Sequence, residues 1–105
     1  MATVTSKALA RTAAATTSTT LYTAPSTTSV AVVTNIVLAN ASTSSATATV
    51  AMDGIVLVPA VSVAANSLLG FDLKQVLPAN ATPKVISGFA STTSVTIHIS
   101  GVEIN

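Results

Sequence analysis

The sequence predicts an all-β protein, a single β-sandwich of about eight short antiparallel strands with a short N-terminal arm, and three observations predict it. Apolar residues alternate with Thr and Ser in short segments such as Ala46 to Met52 and Val95 to Ser100. Turn signals built from Pro, Asn, Asp, Gly and Ser recur roughly every 8–12 residues, the spacing of a sandwich or small barrel. An Asp-Gly pair at 53–54 stands between two apolar runs. That pair marks a tight hairpin, because a type I′ turn needs positive φ at both central residues. Jelly-roll and immunoglobulin-like arrangements both fit this pattern.

The chain is organised around Ser29 to Asn40, its longest unbroken run of strand-forming residues. At period two, Val30, Val32, Thr34, Ile36 and Leu38 share one face, and Ala31, Val33, Asn35, Val37 and Ala39 share the other. Both faces are largely apolar, which predicts a central strand covered on both sides.

Residues 1–18 read as an N-terminal arm or edge strand, and residues 19–105 as the β-sandwich domain. Lys7 to Ala15 has helix propensity from alanine alone, but a helix that short is marginal. Thr19 to Thr23 is a short strand stopped by Pro25, which has no N–H to give a ladder. The central strand is ended by the polar loop Asn40 to Ser45; then come Ala46 to Met52, the hairpin, and a second arm from Ile55 that closes at Pro59. Leu68 to Leu77 forms a further strand beyond the turn at Ala65 to Ser67, and a break follows over Pro78 to Pro83. Lys84 to Phe89 is the next strand. In the last one, Val95, Ile97 and Ile99 face in while Thr96, His98 and Ser100 face out. Gly101 reads as a bulge that shifts the phase, making Val102 and Ile104 the inward positions with Glu103 between them.

Composition narrows the function. Half of the 105 residues are apolar, but they are mostly Ala and Val, with Tyr22, Phe71 and Phe89 as the aromatics. Burying apolar surface gives roughly 25 cal/mol per Å², so a core of small side chains leaves a modestly stable monomer that association would support. Charged residues make up 7%, against about a quarter in ordinary domains. A surface of Ser, Thr, Asn and Ala suits a subunit built into an assembly or a β-rich exterior outside cells. A net charge of +1 without a basic cluster disfavours nucleic acid. The absence of cysteine rules out disulfides and thiolate metal sites. Lys7 and Arg11 are followed by AAATTSTT rather than an apolar core, so no secretory signal is expected, and no run approaches the roughly 18 apolar residues of a membrane span.

No arrangement of side chains reads as a catalytic, cofactor or metal site. His98 is a lone histidine on an outward face, without a second to share a metal. Asp53, Asp72 and Glu103 could pair as in a glycoside hydrolase, yet each has a local explanation: a turn, a polar strand face and a strand end. No loop gathers the several oxygens that Ca²⁺ needs. Asn40-Ala41-Ser42 and Asn80-Ala81-Thr82 match the N-glycosylation pattern, but without a secretory signal they read as accidental.

The order TTLYTAPSTTSVAVVTNIVLANAS, AMDG, LKQVLPAN and STTSVTIHISGVEI resembles small structural proteins of tailed bacteriophages. There a "tLYt-P" opening precedes a "t-avvt-Ivl-N-s" strand, a "-vDG-" hairpin, a "-k-vL-aGD-I" segment and a closing "v-v-isGvEi" strand. The resemblance covers Thr19 to Asn105 and departs at Pro78-Ala79-Asn80-Ala81, where the pattern has Gly-Asp. It implies a non-enzymatic virion component assembled in the host cytoplasm. The favoured role is a capsid decoration (cement) protein that bridges subunits of the major capsid protein. As a homo-oligomer, it suits a trimer on a locally three-fold lattice, without nucleic acid, membrane or cofactor. The arm and exposed strand edges would make the contacts. The alternative is a tail-tip, neck or fibre-associated module that binds the host surface through Ser42 to Ser45 or Ser91 to Ser94.

Overall fold

The central run folds as β3 (Val30–Asn40), paired on one side with β8 (Val95–Ile104) and on the other with β6 (Ser67–Leu77). β1 (Val4–Ala13) pairs with the far side of β8, giving a four-stranded sheet in the order β1-β8-β3-β6, here the long sheet. The short sheet is β2-β7-β4-β5, built from β2 (Thr19–Thr23), β7 (Val85–Ala90), β4 (Ala46–Met52) and β5 (Ile55–Val63). The computed structural model describes residues 3–79 and 84–105, and no helix occurs among them. The tip of the break expected over Pro78 to Pro83 lies outside the described residues.

Every strand pair is antiparallel. The pairs β1/β8, β2/β7, β3/β6 and β4/β5 are the rungs of one long ribbon folded in half at Asp53-Gly54. Rolling that ribbon brings β8 against β3 and β7 against β4. This is a jelly roll, the first of the two arrangements that the sequence allows. The hairpin at the fold of the ribbon has φ 55° at Asp53 and 79° at Gly54, as a type I′ turn requires.

The core lies between the sheets. Val33, Ile36, Leu38, Ile97 and Ile99 from the long sheet meet Val50, Val58, Val63 and Ile86 from the short one. Alanines fill much of the remainder, and Tyr22 is the buried aromatic ring.

Three expectations need correction, each for the same reason. β3 is central, but its faces exchange at a bulge where Val33 pairs with Gly101 and Asn35 with Ser100. The buried set is therefore Ala31, Val33, Ile36, Leu38 and Asn40, while Val32, Val37 and Ala39 face outward, half-buried, with no second layer over them. β5 does not close at Pro59. It bulges there, with Ala60 at φ 43° donating its N–H to Thr49 Oγ1 at 3.2 Å, and continues to Val63. β8 keeps strict alternation to its end, so Gly101 and Glu103 point inward and Val102 and Ile104 outward. The bulges sit in its two neighbours, β1 at Leu9 and β3 at Thr34, and β8 runs straight between them. Gly101 marks a close approach, because a Cβ there would run into the Val32 carbonyl. A bulge depends on the partner strand, which one segment of sequence does not contain.

Candidate functional site

Residues directly opposite in an antiparallel ladder share a face, so the register defines the outer surface of the long sheet. At one end, Val4, Ile104 and Val30 lie in a row across β1, β8 and β3. The next outward row is Ser6, Val102, Val32 and Val76, reaching β6. Val4 is 65% and Val76 55% exposed, Ser6 is exposed, and Val30, Val32, Val102 and Ile104 are half-buried. Six apolar side chains thus form one uncharged patch of a kind that marks interaction surfaces. Past it the face turns polar, with Ala8, Ser100, Asn35 and Asp72, then Arg11, His98, Val37 and Gly70.

The patch continues round the β6 edge. Val76, Leu77 and Pro78 face Ile55, Val56 and Leu57 across a groove of about 270 Å³ between the two sheets. Ile55 is 73% exposed at its rim, where Asp53 pairs with Lys84. The outer face of the short sheet differs in chemistry. Its rows set Thr20 beside Ser87 and Thr47 beside Ser62, with Phe89 next to Thr49.

Beneath the apolar end lies a polar cluster. The Tyr22 hydroxyl, on the short sheet, donates to Glu103 Oε2 on the long sheet at 2.5 Å. Asn105 Nδ2 donates to Glu103 Oε1 at 3.4 Å, and Lys7 Nζ stands 3.5 Å from Oε2. Ser29 donates to Asn105 Oδ1, and Ser26 joins Ser29 at 2.7 Å. Tyr22's hydrogen bond holds the Glu103 carboxyl below its ordinary value against the opposing effect of burial, with help from Asn105 and Lys7. Burial, then the bond to Glu103, pushes the Tyr22 phenol well above its own. The cluster ties the short edge strand β2 to the long sheet and fixes the frame under the exposed patch. Sequence reading placed Glu103 at a strand end and left Tyr22 without a role. The two are 81 residues apart, and Glu103 faces inward because β8 keeps its alternation through Gly101 instead of bulging there.

The other singled-out residues do not converge. Asp53 sits in the hairpin, Asp72 on the outer long sheet accepting from Asn35 at 3.1 Å, and Glu103 inside. His98 faces out beside Arg11, its Nε2 3.1 Å from Thr96 Oγ1. Among the described residues no group of three or more His, Asp or Glu side chains is placed to hold a metal ion. Asn40 is buried, and its amide nitrogen is spent on the carbonyls of Ser44, Val63 and Ala64. It is a structural strand-end clamp rather than a glycan acceptor. Asn80 lies outside the described residues. The loops at Ser42 to Ser45 and Ser91 to Ser94 are brought together at the end opposite the patch. There Ala41 donates to the Ser94 carbonyl, and Asn66 to that of Ser42.

No family model matches the chain, and no curated protein matches it. Among solved structures, it is similar to a chain in the structure of the Gx strain of infectious bursal disease virus, with a TM-score of 0.45 and 15% identity. The alignment takes in 98% of this chain but spans only 31% of the other. At that score and identity the likeness carries no functional weight.

Proposed function

We propose that this chain is a non-enzymatic structural protein of a tailed-phage virion, and that it acts as a capsid decoration protein whose long sheet packs on major capsid protein subunits. The observation that carries this reading is the apolar end of the long sheet, two rows of Val and Ile running into the β5/β6 groove on a chain with 7% charged residues. A permanent contact is apolar at its centre, and contiguous exposed apolar patches mark interaction surfaces. The jelly roll is a fold that viral capsid domains use, though it also serves lectins and cupins. The separation of the three carboxylates and His98 favours a structural over a catalytic role. Each copy would add modest free energy, and many copies linked through one shell would add it repeatedly.

Copy number in purified particles, by quantitative mass spectrometry, tests the proposal. Copies comparable in number to the major capsid protein are expected. Absence from the particle would sink the reading. A few copies per particle would favour the tail, neck or fibre module. The convergence of the Ser42–Ser45 and Ser91–Ser94 loops supports that second reading, since loops gathered at one end can present a receptor contact.

A further inference from the structure

β1 is held less firmly than its length implies. Of its ten residues, Leu9 and Ala10 alone are buried. Thr5, Lys7 and Thr12 stand opposite the inward-facing Glu103, Gly101 and Ile97, so they belong to the inner face, yet all three are exposed. β2, the nearest strand of the short sheet, is five residues long and too short to cover them. The opposite edge strand differs: in β6, Leu69, Phe71 and Leu73 pack against the core and Leu77 is buried. β1 also precedes the other strands, so it can leave β8 without displacing any of them. Just past it the chain is fixed to the body of the protein. Ala14 donates its N–H to the Val95 carbonyl at 2.8 Å, and the Ala15 carbonyl accepts from the Ala90 N–H at 2.9 Å. A weakly gripped strand is thus joined to a firm pivot.

The place that β1 fills is keyed to its own sequence. Buried Glu103 has Lys7 Nζ beside it at 3.5 Å. Leu9 Cδ1 lies 3.1 Å from the point where a Cβ on Gly101 would stand, so the bare glycine is the seat of that leucine. Ala10 comes opposite Ile99, and the register shift between Ala8 and Ala10 fits Leu9 to a β8 that runs straight. With β1 away, β8 would present a row of unpaired N–H and C=O groups beside the core, and Glu103 would lose its cation. The strand that restores all of these at once is another β1.

We infer that β1 is an exchangeable strand, which turns about Ala14 and takes its place on β8 of a second copy of this chain. The contacts made there are the ones it leaves, so exchange costs little beyond the change at the pivot. A ten-residue strand extends roughly 33 Å, long enough to cross to an adjacent copy. Reciprocal exchange leaves no β8 edge unfilled. The inference holds whichever particle the protein belongs to.

The chain has no cysteine, so disulfide trapping between copies gives a clean test. Thr3 and Asn105 exchange both backbone hydrogen bonds, at 2.7 and 2.9 Å. Counting along the ladder from that pair makes Ser6 and Val102 a non-hydrogen-bonded pair, the type with side chains close enough for a disulfide. Full-length Ser6→Cys and Val102→Cys, each alone unable to form the 6–102 bridge, are mixed, incubated well below the unfolding transition and oxidised gently. Cysteines held opposite each other react at a high effective concentration. Mixed dimer joined through 6 and 102 is therefore expected at roughly tenfold or more over a control mixture of Ser6→Cys with Thr47→Cys, which lies on the outer short sheet. The double variant Ser6→Cys/Val102→Cys checks folding and bridge geometry within one chain. Amide exchange of the wild type is the second readout, with β1 expected to open well before β3. A mixture that gives no more dimer than the control while the double variant bridges would overturn the inference. So would β1 amides protected as strongly as those of β3, whether or not the double variant bridges.

Discussion

The two sheets bury similar inner faces and treat their outer surfaces in opposite ways. The short sheet ends in a five-residue strand and a proline-bearing strand, and its outer rows are rich in Thr and Ser. The long sheet has longer edge strands and shows Val and Ile at one end of its outer face. A jelly roll needs only the inner faces. The outer faces differ in arrangement: the long sheet gathers Val and Ile in two adjacent rows, whereas the short sheet sets exposed Phe89 among Thr and Ser, with Ile55 and Val56 exposed on β5.

Two glycines of the long sheet sharpen the contrast between its layered and unlayered sides. Gly101→Ala drives a methyl group into the Val32 carbonyl on the inner side and is expected to lower stability by about 3 kcal/mol in denaturant titration. Gly70→Ala, on the outer side, meets Val37 Cγ2 at an ordinary 3.7 Å. Nothing packs over it, so stability should hold or rise by about 0.5 kcal/mol. A comparable loss at both positions would mean that the outer face is more constrained than its exposure indicates.

Tyr22→Phe cuts the bond that joins the sheets and leaves Glu103, 7% exposed, short of its main donor. A hydrogen bond to a charged group is worth about 1.5–3 kcal/mol, and a loss of that size is expected. The same cluster sets an acid limit. Because the folded chain holds Glu103 below its ordinary value of 4.5, the unfolded chain takes up the proton first. Stability is thus in full effect above that value and falls as the pH drops below it, and Tyr22→Phe flattens the fall. On the alkaline side, the raised Tyr22 phenol makes stability decline once the pH passes 10.0, where the unfolded chain ionises first. A small loss is also expected at the short sheet's hairpin. Lys84→Ala removes a largely solvent-screened pair with Asp53, and at most about 1 kcal/mol should be lost, less in high salt.

Much of this fold was legible in local patterns. Asp53-Gly54 announced its hairpin because turn chemistry resides in the turn itself, and β4 and the first half of β8 showed their faces by simple alternation. What a single segment lacks is its neighbour. The bulges at Leu9, Thr34 and Pro59 exist only in relation to a paired strand; β8 itself has none, so its plain alternation carries Glu103 in and Ile104 out. The candidate surface was hidden for the same reason. Val4, Val32, Val76 and Val102 are scattered through the chain, and only the register sets them in adjacent rows.

The central claim is that the apolar end of the long sheet is the partner-binding face. Its most direct test is binding to particles stripped of the protein, comparing Val32→Lys/Val102→Lys with a control pair on the short sheet, Thr20→Lys/Ser87→Lys. Both pairs add two charges to outward-facing strand positions. The account predicts that the long-sheet pair weakens binding by about thirtyfold or more, as loss of an interface centre does, while the short-sheet pair binds like wild type. Retained binding by the long-sheet variant, or loss confined to the short-sheet variant, would contradict it.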